Sequence, residues 1–515
     1  MSSSDVPVRP RAATPSGGGA DPDAEFAAEL AGHLAAYGER PCIEFERRWY
    51  SGAEVIGCVR AISAELDRLG VARTDRVGIV VRNRVPHAAA VFACIVDGRS
   101  VTMINSYQSV TGIARDVAEL RPAVVIADAR EWEEPLCAAC AEAGSAGIAV
   151  SAADLGAEAV VPRGDRETAG AAAGSGLYIL TSGTTGPPKR VRIPLSALRH
   201  TVATMTAGRD PAPEDPPELV YWPFGSVGIC QLLAGPFLAK RMVLFERFTV
   251  DEWVRAIKTY RVRTAGVQPT ILRMVLQANV PRADLASLEY LPGGSGPLEP
   301  GLRAEFEARY GIPLLWAYGA TEFGGSVCAW TLDTHRRYGA AKPDSVGRPL
   351  PGVEVRVVDP ETGAAVGAGE RGVLTARVAA LGPEFVRTTD LASVDADGFV
   401  TIHGRADGAI NRGGFKILPE RVRAVLLGHS AIRDACVVGV PDSRLGQVPF
   451  AVVELRHGHP APSEAELQDL VREALPSHHV PVAVDVVDAL PRNAAMKPKV
   501  PEVVALYGER GERSP

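Results

Sequence analysis

From Ala27 onward the chain alternates helix-length stretches, such as Ala53–Leu69, with short runs of β-branched and aromatic residues at Val77–Val81, Val124–Ala127 and Val220–Trp222. Strands separated by helices are not joined as hairpins, so they pair in parallel, and the expected fold is α/β with mostly parallel sheets in a large N-terminal domain. One apolar run, Leu177–Leu180, leads into Thr181, Ser182, Gly183, Thr184, Thr185, Gly186, Pro187, Pro188 and Lys189. Hydroxyls and glycines at the end of a strand offer side-chain O–H and backbone N–H groups that wrap a polyphosphate, and the lysine adds positive charge at the loop's exit. The spacing is not that of a Walker loop, because Lys189 follows a Gly-Pro-Pro corner and no helix signature comes after it.

Two further segments depart from this alternation. Gly352–Val358, Gly372–Val378 and Phe399–Ile402 show period-two patterning between turn residues, which reads as a small β subdomain over about 345–404. After Gly404 and Arg405 come a helix at Pro419–Leu427, strands at Ala435–Val440 and Phe450–Leu455, a helix at Glu464–Ala474 and a strand at Val482–Val487. That order describes a small α+β lid over 405–515, hinged to the N-terminal domain of 25–404. Residues 1–24 are mostly Ser, Pro, Gly, Ala and Asp and are read as a disordered leader, with too few apolar anchors to offset the entropy of ordering.

Bulk properties narrow the function. A chain of 515 residues with 46% hydrophobic content supports more than one core. A net charge of −6 argues against a nucleic-acid partner. No segment approaches the roughly 20 apolar residues of a membrane span, and the N-terminus lacks a signal-peptide core, so a cytoplasmic location is expected. The eight cysteines are scattered through apolar or helical surroundings and read as buried free thiols. Cys137-Ala-Ala-Cys140 lacks a second ligand pair and is read as part of a helix, not as a zinc or redox site.

The order Ser-Gly-Thr-Thr-Gly-x-Pro-Lys over 182–189 resembles the phosphate loop of the adenylate-forming superfamily, which includes acyl- and aryl-CoA synthetases, adenylation domains of peptide synthetases, and luciferases. Further motifs follow in that family's order, so the resemblance runs from about residue 25 to about residue 505. It implies ATP, AMP, Mg²⁺ and coenzyme A as ligands. Gly294, Ser295 and Gly296 match the glycine-rich stretch that lies against adenine, where glycines permit a close approach. In Tyr318-Gly319-Ala320-Thr321-Glu322, the resemblance implies that Tyr318 stacks on adenine, Thr321 contacts the α-phosphate and Glu322 holds Mg²⁺. Thr388-Thr389-Asp390 matches Thr-Gly-Asp, so Asp390 takes the ribose hydroxyls, and the threonine in the middle is expected to restrict a turn.

Arg405 is implied to bind ribose or phosphate and Asp407 to be the hinge, while Gly413, Gly414, Phe415 and Lys416 line the pantetheine tunnel. Leu490-Pro-Arg-Asn-Ala-Ala-Met-Lys497 is similar to Leu-Pro-Arg-Thr-x-x-Gly-Lys, which makes Lys497 the catalytic lysine that bridges the substrate carboxylate and the α-phosphate. Trp222, Phe224, Gly225 and Ser226 fall at the acyl pocket. Amino-acid-activating relatives carry an aspartate after the phenylalanine. Here Gly225 leaves an α-ammonium unpaired, so a bulky acid that is not an amino acid is expected. Many acyl-CoA synthetases carry a histidine at this place, and its absence is expected to leave extra volume.

The resulting expectation is an ATP-dependent acid:CoA ligase that forms an acyl-AMP and then a thioester. Other readings stay open at this stage: loading of a free carrier protein, amide formation, nitrite activation (diazotisation), and a degenerate adenylate binder. Three departures from the family pattern, Arg190 after the loop lysine, Gly408 after the hinge and Met496 before Lys497, point to one further reading. In it the chain mainly thioesterifies an acyl-AMP supplied by a partner enzyme.

Overall fold

The structure, a computed structural model, describes residues 22–512 apart from 107–108, 165–174, 182–188, 207–208, 226–227, 295, 321–322, 324, 380, 406–407, 413–414, 443 and 494–495. Its centre is a seven-stranded sheet in the order Ala157–Val161, Ala146–Val150, Val124–Asp128, Arg76–Val81, Ser100–Asn105, Gly176–Thr181 and Lys189–Pro194. The five inner strands are parallel and the two edge strands antiparallel. Val77, Ile79, Val80, Val124, Val125 and Ile126 are all inaccessible to solvent, as expected of parallel strands covered on both faces. The helix Val85–Val96 is buried over all but its last residue, which is why its sequence is apolar all round instead of amphipathic. The expected helix over 53–69 spans Gly52–Arg68 and is fixed at its start by a capping box between Ser51 and Glu54.

Two smaller sheets extend the N-terminal domain. One runs Glu218–Val220, Met242–Leu244, Pro41–Phe45 and Arg48–Ser51, and the other runs Leu291–Gly293, Leu314–Ala320, Gly325–Ala329 and Arg348–Pro349. The strand read over 220–222 begins at Glu218 and stops at Val220, because Pro223 has no N–H for a ladder and Asn83 takes over the neighbouring backbone. The helix Pro22–Ala35 starts inside the stretch assigned to the leader. Phe26, Leu30 and Leu34 recur on one face and bury almost completely, which anchors it. Residues 1–21 lie outside the described residues.

Val353–Val358, Gly372–Val378, Val386–Val394 and Val400–Arg405 form an antiparallel meander. The segment after it builds a sheet in the order Phe415–Ile417, Ile410–Arg412, Gly446–Leu455 and Ile432–Asp442, with Ala483–Val487 parallel to Gly446–Leu455. Helices Pro419–Leu426, Glu464–Ala474 and Val500–Glu512 pack on it. The last helix is tied in by buried Val503 and by Arg510, which pairs with Glu464 and Asp485. All eight cysteines are free thiols. Among the described residues no helix is long and apolar enough to cross a membrane.

Candidate nucleotide and acyl site

The stretch expected to bind phosphate falls between two paired strands. Gly176–Thr181 and Lys189–Pro194 pair antiparallel from Gly176 opposite Pro194 to Thr181 opposite Lys189, and Thr181 ends a strand that runs parallel to Ser100–Asn105, at the carboxyl edge where ligands collect in α/β sheets. Ser182, Gly183, Thr184 and Thr185 lie outside the described residues. Arg190, one of the departures, is occupied elsewhere: its guanidinium donates to the Met103 carbonyl at 3.0 Å and faces Asp116 at 3.5 Å.

The glycine-rich stretch packs across the strand Leu314–Ala320. A Cβ on Gly293 would lie 2.1 Å from the Trp316 ring, and one on Gly294 would lie 3.1 Å from the Ala317 carbonyl. Only glycine allows that approach at 293. Trp316 in turn donates its indole N–H to the Gly296 carbonyl at 2.9 Å. Gly319 is fixed by the neighbouring strand, because a Cβ there would meet the Gly325 carbonyl at 2.2 Å. Ser295, Thr321 and Glu322 fall outside the described residues.

Tyr318 and Asp390 meet directly. The Tyr318 hydroxyl donates to Asp390 Oδ2, and burial, followed by the Asp390 charge, raises the phenol's pKa, so it stays protonated as a donor. No turn occurs at Thr388–Asp390. These residues belong to the strand Val386–Val394, in which Asp390 sits opposite Arg405. The expected restriction by Thr389 therefore does not arise, since an extended backbone accepts a β-branched residue readily. Instead its hydroxyl accepts a hydrogen bond from Arg405 at 2.8 Å, and Thr388 bonds the Leu374 carbonyl at 2.8 Å.

Lys497 stands on a loop built by its own backbone. Asn493 accepts from the Lys497 N–H through Oδ1 at 3.0 Å and donates its own N–H to the Lys497 carbonyl at 2.8 Å. Met496 adopts φ +60°, the left-handed conformation that the family's glycine would take freely. Arg492 reaches back to the Met496 carbonyl at 3.0 Å. Desolvation by the surrounding protein, and then the Arg405 charge, lower the Lys497 pKa, although the side chain keeps solvent contact that moderates both effects. Two cations whose charges act on one another suit the charge of a phosphate group.

Asp407 and the tunnel glycines Gly413 and Gly414 lie outside the described residues. Phe415 and Lys416 start the strand Phe415–Ile417, which pairs antiparallel with Ile410–Arg412. Sequence reasoning passed over Glu420. A Cβ on Gly404 would come within 2.8 Å of its Oε2, so the glycine permits the lid helix to seat against the chain just before the hinge. Burial raises the Glu420 pKa.

Among the residues expected at the acyl pocket, Trp222 and Phe224 are clamped by buried Asn83. Its Nδ2 donates to the Trp222 carbonyl at 2.9 Å, and its Oδ1 accepts from the Phe224 N–H at 3.1 Å. The available signal was its position just past the carboxyl end of the strand Arg76–Val81. The extra volume expected at Gly225 is limited on one side, where a Cβ would stand 3.3 Å from Val81 Cγ1. Ser226 is outside the described residues.

Comparison with known proteins places this geometry in context. Residues 30–384 match the family described as AMP-binding enzyme, and residues 422–497 match the AMP-binding enzyme C-terminal domain. The chain is 29% identical to the 2-succinylbenzoate–CoA ligase of Bacillus licheniformis over 451 residues, 84% of this chain and 90% of the relative. It is 32% identical to 4-coumarate–CoA ligase-like 9 of Oryza sativa subsp. japonica over 346 residues, 62% of this chain and 61% of the relative. Among solved structures, the amide bond synthetase from Marinactinospora thermotolerans superposes with a TM-score of 0.75 at 25% identity, covering 94% of this chain and all of its own. The o-succinylbenzoate coenzyme A synthetase of Bacillus subtilis, in complex with its acyl-adenylate intermediate, superposes at 0.74 and 23% identity over 91% of this chain and 96% of its own.

Proposed function

Because the chain belongs to the AMP-binding enzymes, a family of ATP-dependent adenylate-forming ligases, we propose that it is an acid:CoA ligase acting on a bulky carboxylic acid that is not an amino acid. The supporting observation is that Tyr318 bonds Asp390, that Asp390 sits opposite Arg405 in the β meander, and that the Arg405 charge acts on Lys497 of the lid. In the first step the substrate carboxylate attacks the α-phosphorus, the bond to the β-phosphate breaks, and pyrophosphate leaves. Lys497 offsets the negative charge that builds between carboxylate and α-phosphate, while Asp390 and Tyr318 orient the nucleoside. In the second step the CoA thiol attacks the acyl carbonyl, AMP leaves, and the thiol proton passes to solvent.

Among the described residues no group of three or more His, Cys, Asp or Glu side chains could cage a metal ion. By the family resemblance Glu322 would hold Mg²⁺ together with phosphate oxygens, as is usual for this cation, and the ion would neutralise polyphosphate charge.

Two details favour a complete two-step enzyme over one restricted to a supplied acyl-AMP. Arg190 is engaged by Met103 and Asp116, and Met496 already holds the left-handed backbone that the lysine loop requires. The relatives are named for 4-coumarate and 2-succinylbenzoate, both ring-bearing acids. An acid of that kind suits the apolar surroundings of Trp222 and Phe224, with no carboxylate at Gly225. The likeness to an amide bond synthetase favours a second reading, in which an amine replaces CoA as acceptor.

Incubation with ATP and a panel of aromatic and alicyclic acids, with CoA, an amine or a free carrier protein as acceptor, tests the reading by product mass and pyrophosphate release. Acyl-CoA is the expected product. Pyrophosphate release with amide as the sole product would move the assignment to the second reading. No pyrophosphate with any acid would overturn both.

A further inference from the structure

Away from the nucleotide, six charged side chains meet where the lid rests on the N-terminal domain. Arg273, on the helix Pro269–Gln277, donates to Glu299 Oε2 at 2.6 Å. Glu299, which precedes the helix Pro300–Tyr310, accepts through its other oxygen from Arg423 on the lid helix. Arg423 donates at 2.6 Å to Asp434 on the strand Ile432–Asp442. Asp434 Oδ2 accepts from Arg492 at 2.5 Å, and Arg492 also reaches Glu454 at 3.2 Å. The same Arg492 holds the Met496 carbonyl, one residue before Lys497.

We propose that Glu299 is a positioning residue: through Arg423, Asp434 and Arg492 it docks the lid in the orientation that brings Lys497 to the nucleotide. The relay is continuous, and it ends on the backbone of the lysine loop. Its members are sheltered from water, with 3% of the Asp434 side chain, 10% of Arg273 and 14% of Glu299 exposed. Such pairs are screened little by salt and are sensitive to geometry. None of these six residues belongs to the candidate site. A further contact at the edge, from Arg433 to Gln277 Oε1 at 3.0 Å, crosses the same boundary.

The cluster is also arranged to release. Arg273 keeps Glu299 within the N-terminal domain, and Arg423 and Arg492 keep Asp434 and Glu454 within the lid. When the lid leaves, each half retains its own counter-charges and no buried charge is stranded, which avoids the large penalty of an unpaired ion. Of the ion pairs described in the cluster, those from Glu299 to Arg423 and from Arg273 to Asp434 separate, together with the contact from Arg433 to Gln277. A contact built in this way favours one orientation without locking it.

The consequence for turnover rests on the ligase reading: weakening the contact should slow acyl-AMP formation and spare thioester formation from supplied acyl-AMP. The docking itself is tested without any substrate, by hydrogen exchange on the full-length protein. In Glu299→Gln, protection of peptides covering 269–277 and 419–436 should fall together by at least about thirtyfold, the low end for truncating one partner of a buried pair across an interface. Peptides from the two cores, 124–128 and 448–453, should not change. Unchanged protection at both docking faces would overturn the proposal. If the core peptides also lost protection, Glu299→Asp decides by the same criterion, since it keeps the charge but shortens the reach to Arg423. Absence of pyrophosphate release with normal docking would count against the ligase reading alone.

Discussion

Arg405 donates to the hydroxyl of Thr389 at 2.8 Å, and the two residues lie on neighbouring strands of the meander that ends at the hinge. A residue that departs from the family pattern thus steadies a cation beside the proposed ribose and phosphate position. Replacing Thr389 with valine keeps the β-branched shape and removes only the acceptor. ATP affinity should fall by about 1 kcal/mol, the usual net value of one hydrogen bond. Unchanged affinity in calorimetry would show that other contacts hold Arg405.

Asp390→Ala removes the partner of Tyr318 together with the proposed acceptor for ribose. AMP and ATP binding should weaken by roughly 1 to 3 kcal/mol. Equal affinity in wild type and variant would remove Asp390 from the nucleotide site.

Lys497→Ala should lower acyl-AMP formation by roughly 10² or more, the effect of losing one preorganised charge-stabilising group. Conversion of supplied acyl-AMP to product should persist. Equal loss of both steps would mean that the lysine loop does not leave the site between them.

The lowered pKa of Lys497 has a direction that can be checked. Desolvation and Arg405 disfavour its protonated form, so its charge should be lost below the ordinary lysine value of 10.5 as pH rises in the nucleotide-free protein. Saturating ATP should move the midpoint upward, because phosphate favours the cation. Competitive acetylation of Lys497 followed by mass spectrometry reads both midpoints. A nucleotide-free midpoint at or above that of exposed lysines would contradict the arrangement.

His87 is inaccessible to solvent and neither ring nitrogen has a hydrogen-bond partner; burial pushes its pKa down to about 3 from 6.5. Between those values the unfolded chain binds a proton that the native protein refuses, so stability falls as pH drops from 6.5 toward 3. His87→Leu should flatten that loss by up to about 1.4 kcal/mol per pH unit. Urea midpoints at pH 7 and pH 5 measure it, and identical slopes in both proteins would show that His87 does not drive the loss.

Legibility in the sequence followed the range of the interaction. Runs such as Val124–Ala127 and Ala435–Val440 declare their strands, because burial on both faces demands apolar residues without polar interruption. Motif order singled out Tyr318, Asp390, Arg405 and Lys497 as candidates, and the structure adds the bonds that link Tyr318 to Asp390 and Arg405 to Thr389. The roles of Asn83, Thr389 and Glu420 were not legible, since each depends on a partner brought close only by folding: Asn83 contacts a loop 139 positions away. The ionic cluster was hidden for the same reason. Arg273 and Asp434 carry no local pattern, and separately each reads as an ordinary surface charge.

The helix Val500–Glu512 begins three residues after Lys497 and is pinned at Val503 and at Arg510. With Arg492 fastened on the other side, the lysine is strung between two anchors like a bridge span, not carried on a free arm. A protein shortened before Val503 would therefore lose more than a surface helix. It would drop one abutment of the span and bare the apolar cluster around Val503 and Phe450, and the reactive ammonium would sag out of reach.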